Sequence, residues 1–237
     1  MEEVIIARIK ALSASFRRIL DYNYQRTYPL PPPTTIWGFV GAAMGLSDRQ
    51  LWANNSVIRK LKISVLATNV PGFAKDLWSI KKIKQGKIDT RSPYFRELLF
   101  FPQYLLVFGG DKEVLNKVEK AFRDPTYALS LGREDELVRI IDLKRDFAKE
   151  GTNIFSGTIL PLNIREINFE PILREGIIME PPIVDKLPTE FTINKKGVRT
   201  PKNKKEYTFI PPTLTIKIKE CSFKVYSVEG RNFVWLN

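Results

Sequence analysis

Arg17, Arg18, Tyr22, Tyr24, Arg26 and Tyr28 crowd into one short stretch. Guanidinium groups pair with phosphate oxygens, and guanidinium and phenol planes stack on unpaired bases, so this interleaving suits single-stranded RNA. A plainer arrangement fits the same residues, with the tyrosines in the core and the arginines solvated. Further along, Lys75, Lys81, Lys82, Lys84, Lys87 and Arg91 alternate with Trp78, Ile80, Ile83 and Ile88. Such an array can track a nucleic-acid backbone, or it is a solvated charged loop. "NKKGVRTPKNKK" (194–205) is a second basic run without an acid, open to the same two readings. In "SLGRED" (130–135) a glycine and an arginine, Gly132 and Arg133, share a turn, where backbone amides freed by the turn can face an anion with Arg133 alongside. Glu134, Asp135 and Glu136 have no apolar pocket in the pattern around them and read as solvated carboxylates rather than an acid/base pair.

Composition sharpens these candidates. Lys and Arg number 38 against 26 Asp and Glu, giving a formal charge of +12. That balance suits a polyanionic partner, although a generally basic, solvated surface has the same composition. The chain has no histidine, which removes the usual general base near neutral pH and the commonest metal ligand. Cys221 is the only cysteine, so no intrachain disulfide, zinc-thiolate cluster or Cys/His dyad can form. No Walker loop, G-x-S-x-G elbow or dinucleotide glycine motif occurs, and neither a cofactor nor a metal is expected. "MEEVIIARIK" lacks the order of an export signal, and "LLFFPQYLLVF" is too short and too broken to span a bilayer. A soluble, cytoplasmic protein without membrane contact is the expectation.

The elements that must position these residues follow from periodicity. Val4 to Leu12 reads as a strand, and "LKISVLATNV" (61–70) as a second ended by Pro71-Gly72. Residues 73–91 read as a projecting basic hairpin or loop, followed by "RELLFFPQYLLVFGG" as one strand with a bulge or break near Pro102. Asp111 is placed to cap a helix whose apolar face is Val114, Leu115, Val118, Ala121 and Phe122. "ELVRIIDLK" is a fourth strand. The order β, α, β, β, α, β over residues 1–145 predicts an α+β fold, a ferredoxin-like domain with the basic insertion at about 73–91. Residues 146–237 break into short β-like runs separated by prolines, predicting an irregular, mainly β region packed on the first.

The first helix is unusual. "YPLPPPTTIWGFVGAAMG" (28–45) places prolines before a helix that carries Gly38, Gly41 and Gly45, and each interior glycine costs roughly 1 kcal/mol relative to alanine. Gly38, Gly41 or Ala42, and Gly45 recur on one face, a stripe suited to close approach. Thr34 or Thr35 is the expected cap, and with the free amides of the helix start it can meet a phosphate. Close packing of helix on sheet, with no ligand, accounts for the same stripe.

A strand leading into "FRR", then "YPLPPPTTIWGFVGAAMG", the basic insertion, and "SLGRED" before the last strand together resemble the CRISPR-associated protein 5 family of the RAMP superfamily. The similarity covers residues 4 to 145, and the remainder loosely; related RAMP subunits of type III effector complexes share the helix pattern. The resemblance implies a subunit of Cascade, the type I CRISPR surveillance complex of antiviral defence. Such a subunit holds the 5′ handle of CRISPR RNA and caps the foot of the backbone filament. By the same resemblance Arg17 to Thr35 and Gly132-Arg133 line the handle pocket, and 73–91 is a thumb-like hairpin reaching the adjoining backbone subunit. The implied partners are the handle, the backbone RAMP subunit, the large subunit and target DNA within the complex. One branch of the family cleaves precursor RNA without metal through a Tyr/His/Lys site, which the absence of histidine argues against here. A non-catalytic scaffold is therefore expected. A metal-independent repeat endoribonuclease, a type III subunit and a basic interaction protein without an RNA role remain alternatives.

Overall fold

Val4, Ile5, Ile6, Ala7 and Ile9 bury both faces of β1 (Glu2–Ala11), as an unbroken run of apolar, mostly β-branched residues requires. The computed structural model describes all residues from Met1 to Asn237. After β1 the chain leaves its sheet through two short pieces, β2 (Ser13–Ala14) and β3 (Tyr24–Gln25). It then forms α1 (Pro33–Ala43), α2 (Asp48–Leu51) and β4 (Lys62–Ala67). Neither Thr34 nor Thr35 caps α1. Pro32 holds the cap position without a side-chain bond, and the Thr35 amide donates to Pro32 O at 2.9 Å. Prolines at the cap and first helical positions carry no N–H, so this helix start has fewer free donors than the sequence pattern suggests.

The basic insertion is a long hairpin, β5 (Gly72–Lys84) and β6 (Lys87–Phe100), turned at Gln85-Gly86, where both residues have positive φ. "RELLFFPQYLLVF" is not one strand. β6 ends at Phe100, Phe101 adopts φ +50°, and after Pro102 β7 (Gln103–Gly109) enters the other sheet. α3 (Lys112–Arg123) follows, burying Val114, Leu115, Val118 and Phe122. Asp111 occupies its cap position without a side-chain bond. β8 (Val138–Glu150) then pairs antiparallel with β1 along almost all of its length.

The C-terminal half adds β9 (Ile154–Leu160), β10 (Phe169–Ile172), β11 (Ile183–Ile193), β12 (Arg199–Ile218), β13 (Tyr226–Val228) and β14 (Arg231–Phe233). These strands extend the same sheet. Its order is β10-β12-β9-β4-β7-β1-β8-β13-β14, with β11 also on β12, ten strands in all. The expected boundary at 145 falls inside β8, and sheet continuity carries the chain across it. Strand therefore outweighs helix more than an α+β reading implies, and the curled antiparallel sheet dominates the molecule. The prolines expected to make this half irregular are absorbed locally: Pro211 and Pro212 sit where the β12–β9 register shifts between Ile210 and Thr215.

Both long helices cover one face of the four strands β8-β1-β7-β4. Ile36, Phe39 and Val40 of α1 share a core with Ile5, Ile9, Ile63 and Phe108. The opposite face, with Val4, Ile6, Leu105 and Val107, is covered by Val228 and Phe233 of the C-terminal hairpin. No helix is long and apolar enough to cross a membrane.

Candidate nucleic-acid interface

"SLGRED" is held shut by a carboxylate from the next residue. Glu136 is 3% exposed and accepts from Ser15 N at 2.9 Å, Ser15 Oγ at 2.7 Å and Arg133 N at 2.9 Å. It is not a solvated acid. The Arg133 amide that might have faced an external anion already binds this internal one. The reason for glycine at 132 is equally concrete: φ is +110°, and a Cβ there would come within 2.1 Å of Ser15 O. The turn is thereby pinned against the segment that follows β1.

Above this turn stands the base of the hairpin. Ala74, Asp76, Trp78 and Ile80 of β5, with Ser92, Tyr94, Arg96 and Leu98 of β6, face the body, as period-two alternation requires. Trp78 is contacted by two cations, the Arg96 guanidinium at 4.1 Å and that of Arg133 at 3.9 Å from the ring centroid. Arg96 is only 8% exposed. Its Nη2 donates to Asp76 at 3.4 Å and its Nη1 lies 3.9 Å from Glu136, yet Nε and Nη1 have no hydrogen-bond partner. A buried guanidinium with two unused donors is costly unless something outside the chain accepts from them.

Arg96 lines a cleft of about 430 Å³ at the start of α1, together with Arg17, Arg26, Thr34, Thr35, Gly132 and Arg133. Two stretches distant in sequence, 17–35 and 132–133, thus bring predicted site residues to one place, and Arg96 joins them from a third. Arg26 is pre-set by Asp21, which accepts from its amide at 2.6 Å and its Nη2 at 2.7 Å, and Arg17 Nη2 donates to Asp21 O at 2.6 Å. The tyrosines do not join as a group. Tyr28 reaches the cleft wall but stacks on Phe209 at 4.3 Å and donates to Asp185 at 2.7 Å, and burial together with that bond pushes its ionisation well above the ordinary phenol range. Tyr22 is 74% exposed on an outer loop, and Tyr24 donates to Glu97 at 3.0 Å beside the hairpin. Arg18 turns away from the cleft, toward the Tyr28 ring at 5.7 Å.

Lys81, Lys82, Lys84 and Arg91 lie apart from the cleft, where every residue from 81 to 91 is exposed. Register sets Lys81 opposite Arg91 and Lys84 opposite Lys87. Like charges facing each other across strands destabilise a hairpin unless anions screen them.

The glycine stripe of α1 divides into three situations. Gly45 ends the helix at φ +69°, and Gly41 lets Leu51 of α2 approach, its Cδ1 lying 3.1 Å from where a Cβ would be. A Cβ at Gly38 would meet nothing within 4 Å. The sequence reading missed Arg96, Trp78 as an arginine-stacking residue, and buried Glu136. A signal for Arg96 existed, an arginine in phase with Leu98 on the inward face of an alternating strand.

Over residues 4–202 the sequence matches the family described as CRISPR-associated protein (Cas_Cas5). No curated protein matches it. Among solved structures, a chain of a "CRISPR RNA-guided surveillance complex" is 14% identical, with 91% of both chains covered and a TM-score of 0.58. A crystal structure of a CRISPR protein from Archaeoglobus fulgidus is 14% identical, with 97% of this chain and 98% of that one covered, at a TM-score of 0.54. A crystal structure described as a Cas protein is 19% identical, with a TM-score of 0.39; 56% of this chain matches 58% of its length. At 14% identity the likeness to the first two speaks for the fold alone.

Proposed function

We propose that this chain, which belongs to the CRISPR-associated Cas_Cas5 family, is a non-catalytic RNA-binding subunit of a type I surveillance complex that holds the 5′ handle of CRISPR RNA in the cleft at the start of α1. Arg96 carries the reading. Its buried guanidinium has two donors without a hydrogen-bond partner in the wall of a cleft that also gathers Arg17, Arg26 and Arg133, an arrangement suited to a phosphate. The +12 charge and the like-charged pairs at the hairpin tip point to the same class of partner, since phosphates relieve both.

The strand order β8-β1-β7-β4, with helices following its first and third strands in chain order, supports reading this unit as ferredoxin-like. The backbone subunit, the large subunit and target DNA are its proposed neighbours, in the cytoplasm. Against cleavage stands the chemistry of the cleft. Tyr28 is held protonated, and Glu97 already accepts from Tyr24 through one oxygen and from the Thr27 amide through the other, at 3.0 Å each.

Binding of repeat-derived 5′-handle RNA and a scrambled RNA of equal length, measured across a salt series, tests this. The handle should bind more tightly, with affinity falling steeply as salt rises. Equal binding of the two RNAs would reject handle recognition, and discrete products ending in 2′,3′-cyclic phosphate in the presence of chelator would reject the non-catalytic role.

A further inference from the structure

A second pocket, of about 290 Å³, opens on the other side of the first turn of α1. Trp37 and Trp52 line it with Tyr207, over an apolar floor that includes Leu236. Trp52 Nε1 is buried without an acceptor. Lys205, two residues before Tyr207 on the same face of β12, lines the pocket and makes no ion pair or hydrogen bond; burial holds its ammonium below the ordinary lysine range. Glu190, the acid in the wall, is already taken by Arg59 at 2.6 Å and Asn203 at 2.6 Å. Trp52 Nε1 and Lys205 Nζ are thus two unpaired donors on residues of the pocket wall, and both oxygens of the carboxylate are engaged.

A groove of about 480 Å³ links this pocket to the arginine cleft. Thr34, Thr35 and Gly132 line both cleft and groove, while Leu51 and Trp52 line both groove and pocket. Gly38 lies in that groove, and its missing side chain serves no contact within the protein. An interior glycine costs a helix roughly 1 kcal/mol, and the space it leaves along this face is open to a chain passing over it.

We propose that the pocket receives one unpaired base of the RNA held in the arginine cleft, selecting a base that presents carbonyl oxygens, such as uracil, over adenine. This rests on the reading that the chain binds RNA. The base stacks against the indoles and accepts from Trp52 Nε1 and Lys205 Nζ, while the backbone runs over Gly38. The exocyclic amine of adenine would bring a donor to a pocket whose side-chain carboxylate is already occupied.

Octauridylate, octaadenylate and an abasic octamer of equal charge serve as probes for the full chain. Octauridylate should bind the wild type more tightly than the other two. Trp52→Phe combined with Lys205→Met should weaken octauridylate about tenfold, the scale of two lost hydrogen bonds, and the abasic octamer by no more than about twofold, with an unchanged melting temperature reporting that the variant is folded. Octauridylate carrying a single 5-iodouracil should photocrosslink to the peptides containing Trp37 or Trp52. Should the double variant misfold, that crosslink on the wild type decides alone. Crosslinks confined to the Trp78 region, or unchanged octauridylate affinity in a folded variant, would overturn the pocket assignment, leave the RNA reading standing, and give the pocket to a protein side chain instead. Failure of the wild type to bind any octamer, the abasic one included, would overturn both.

Discussion

The base and the tip of the β5–β6 hairpin are made from the same two strands, yet they hold positive charge in opposite ways. At the base, Arg96 is buried, stacked on Trp78 and fixed by its neighbours, with two donors unpaired in the wall of the cleft. At the tip, Lys81, Lys82, Lys84 and Arg91 are exposed and face other cations or solvent. Preorganised charge near a protein wall fixes geometry, whereas exposed charge supplies long-range attraction that salt screens. The hairpin is thus suited to recognise at one end and to attract at the other.

Three variants test that contrast. Gly132→Ala should do the most damage, because its Cβ collides with backbone rather than with a side chain that can move. A loss of about 3 kcal/mol is expected, read as a melting temperature lower by roughly 6–12 °C. An unchanged melting temperature would mean that the turn under the hairpin base is not rigid. Arg96→Lys, which keeps a cation beside Asp76 and buried Glu136 but removes the planar guanidinium donors, should weaken handle RNA by about 2 kcal/mol, roughly 30-fold, while stability moves by less than about 1 kcal/mol. Comparable losses of stability and affinity would make Arg96 a structural residue instead. Lys81→Gln with Arg91→Gln should have the smallest effect, about tenfold in affinity at physiological salt. The salt slope should fall by roughly 1.4. A slope that does not change would remove the tip from the RNA path.

Much of this arrangement was legible in local pattern. Strand-like apolar runs located β1 and β4, and the 3.6-residue period located the apolar face of α3. The basic insertion and the "SLGRED" turn were visible because charge and glycine are compositional signals. Where one local pattern served two destinations, reading failed. "RELLFFPQYLLVF" is apolar throughout, and nothing local reveals that Phe101 and Pro102 pass the chain from one sheet to another. The prolines that fix the approach to α1 also displaced the threonines from its cap. Tyr28 and Tyr22 look alike in the string, and only burial against Phe209 separates a core ring from a solvent-facing one.

By itself, the sequence determined the chemistry on offer: an excess of arginine and lysine, no imidazole, a single thiol, and glycines at a helix face and a tight turn. Those follow from composition and spacing, which need no partner segment to be defined. Tertiary structure decided which of these groups are free. Whether Glu136 is solvated or clamps a turn, and whether Arg96 is paired or left with open donors, depends on residues as far away as Ser15 and Asp76. Hydrogen bonding and burial are properties of the pairs that folding brings together, so the site emerges only once three distant segments meet at the start of α1.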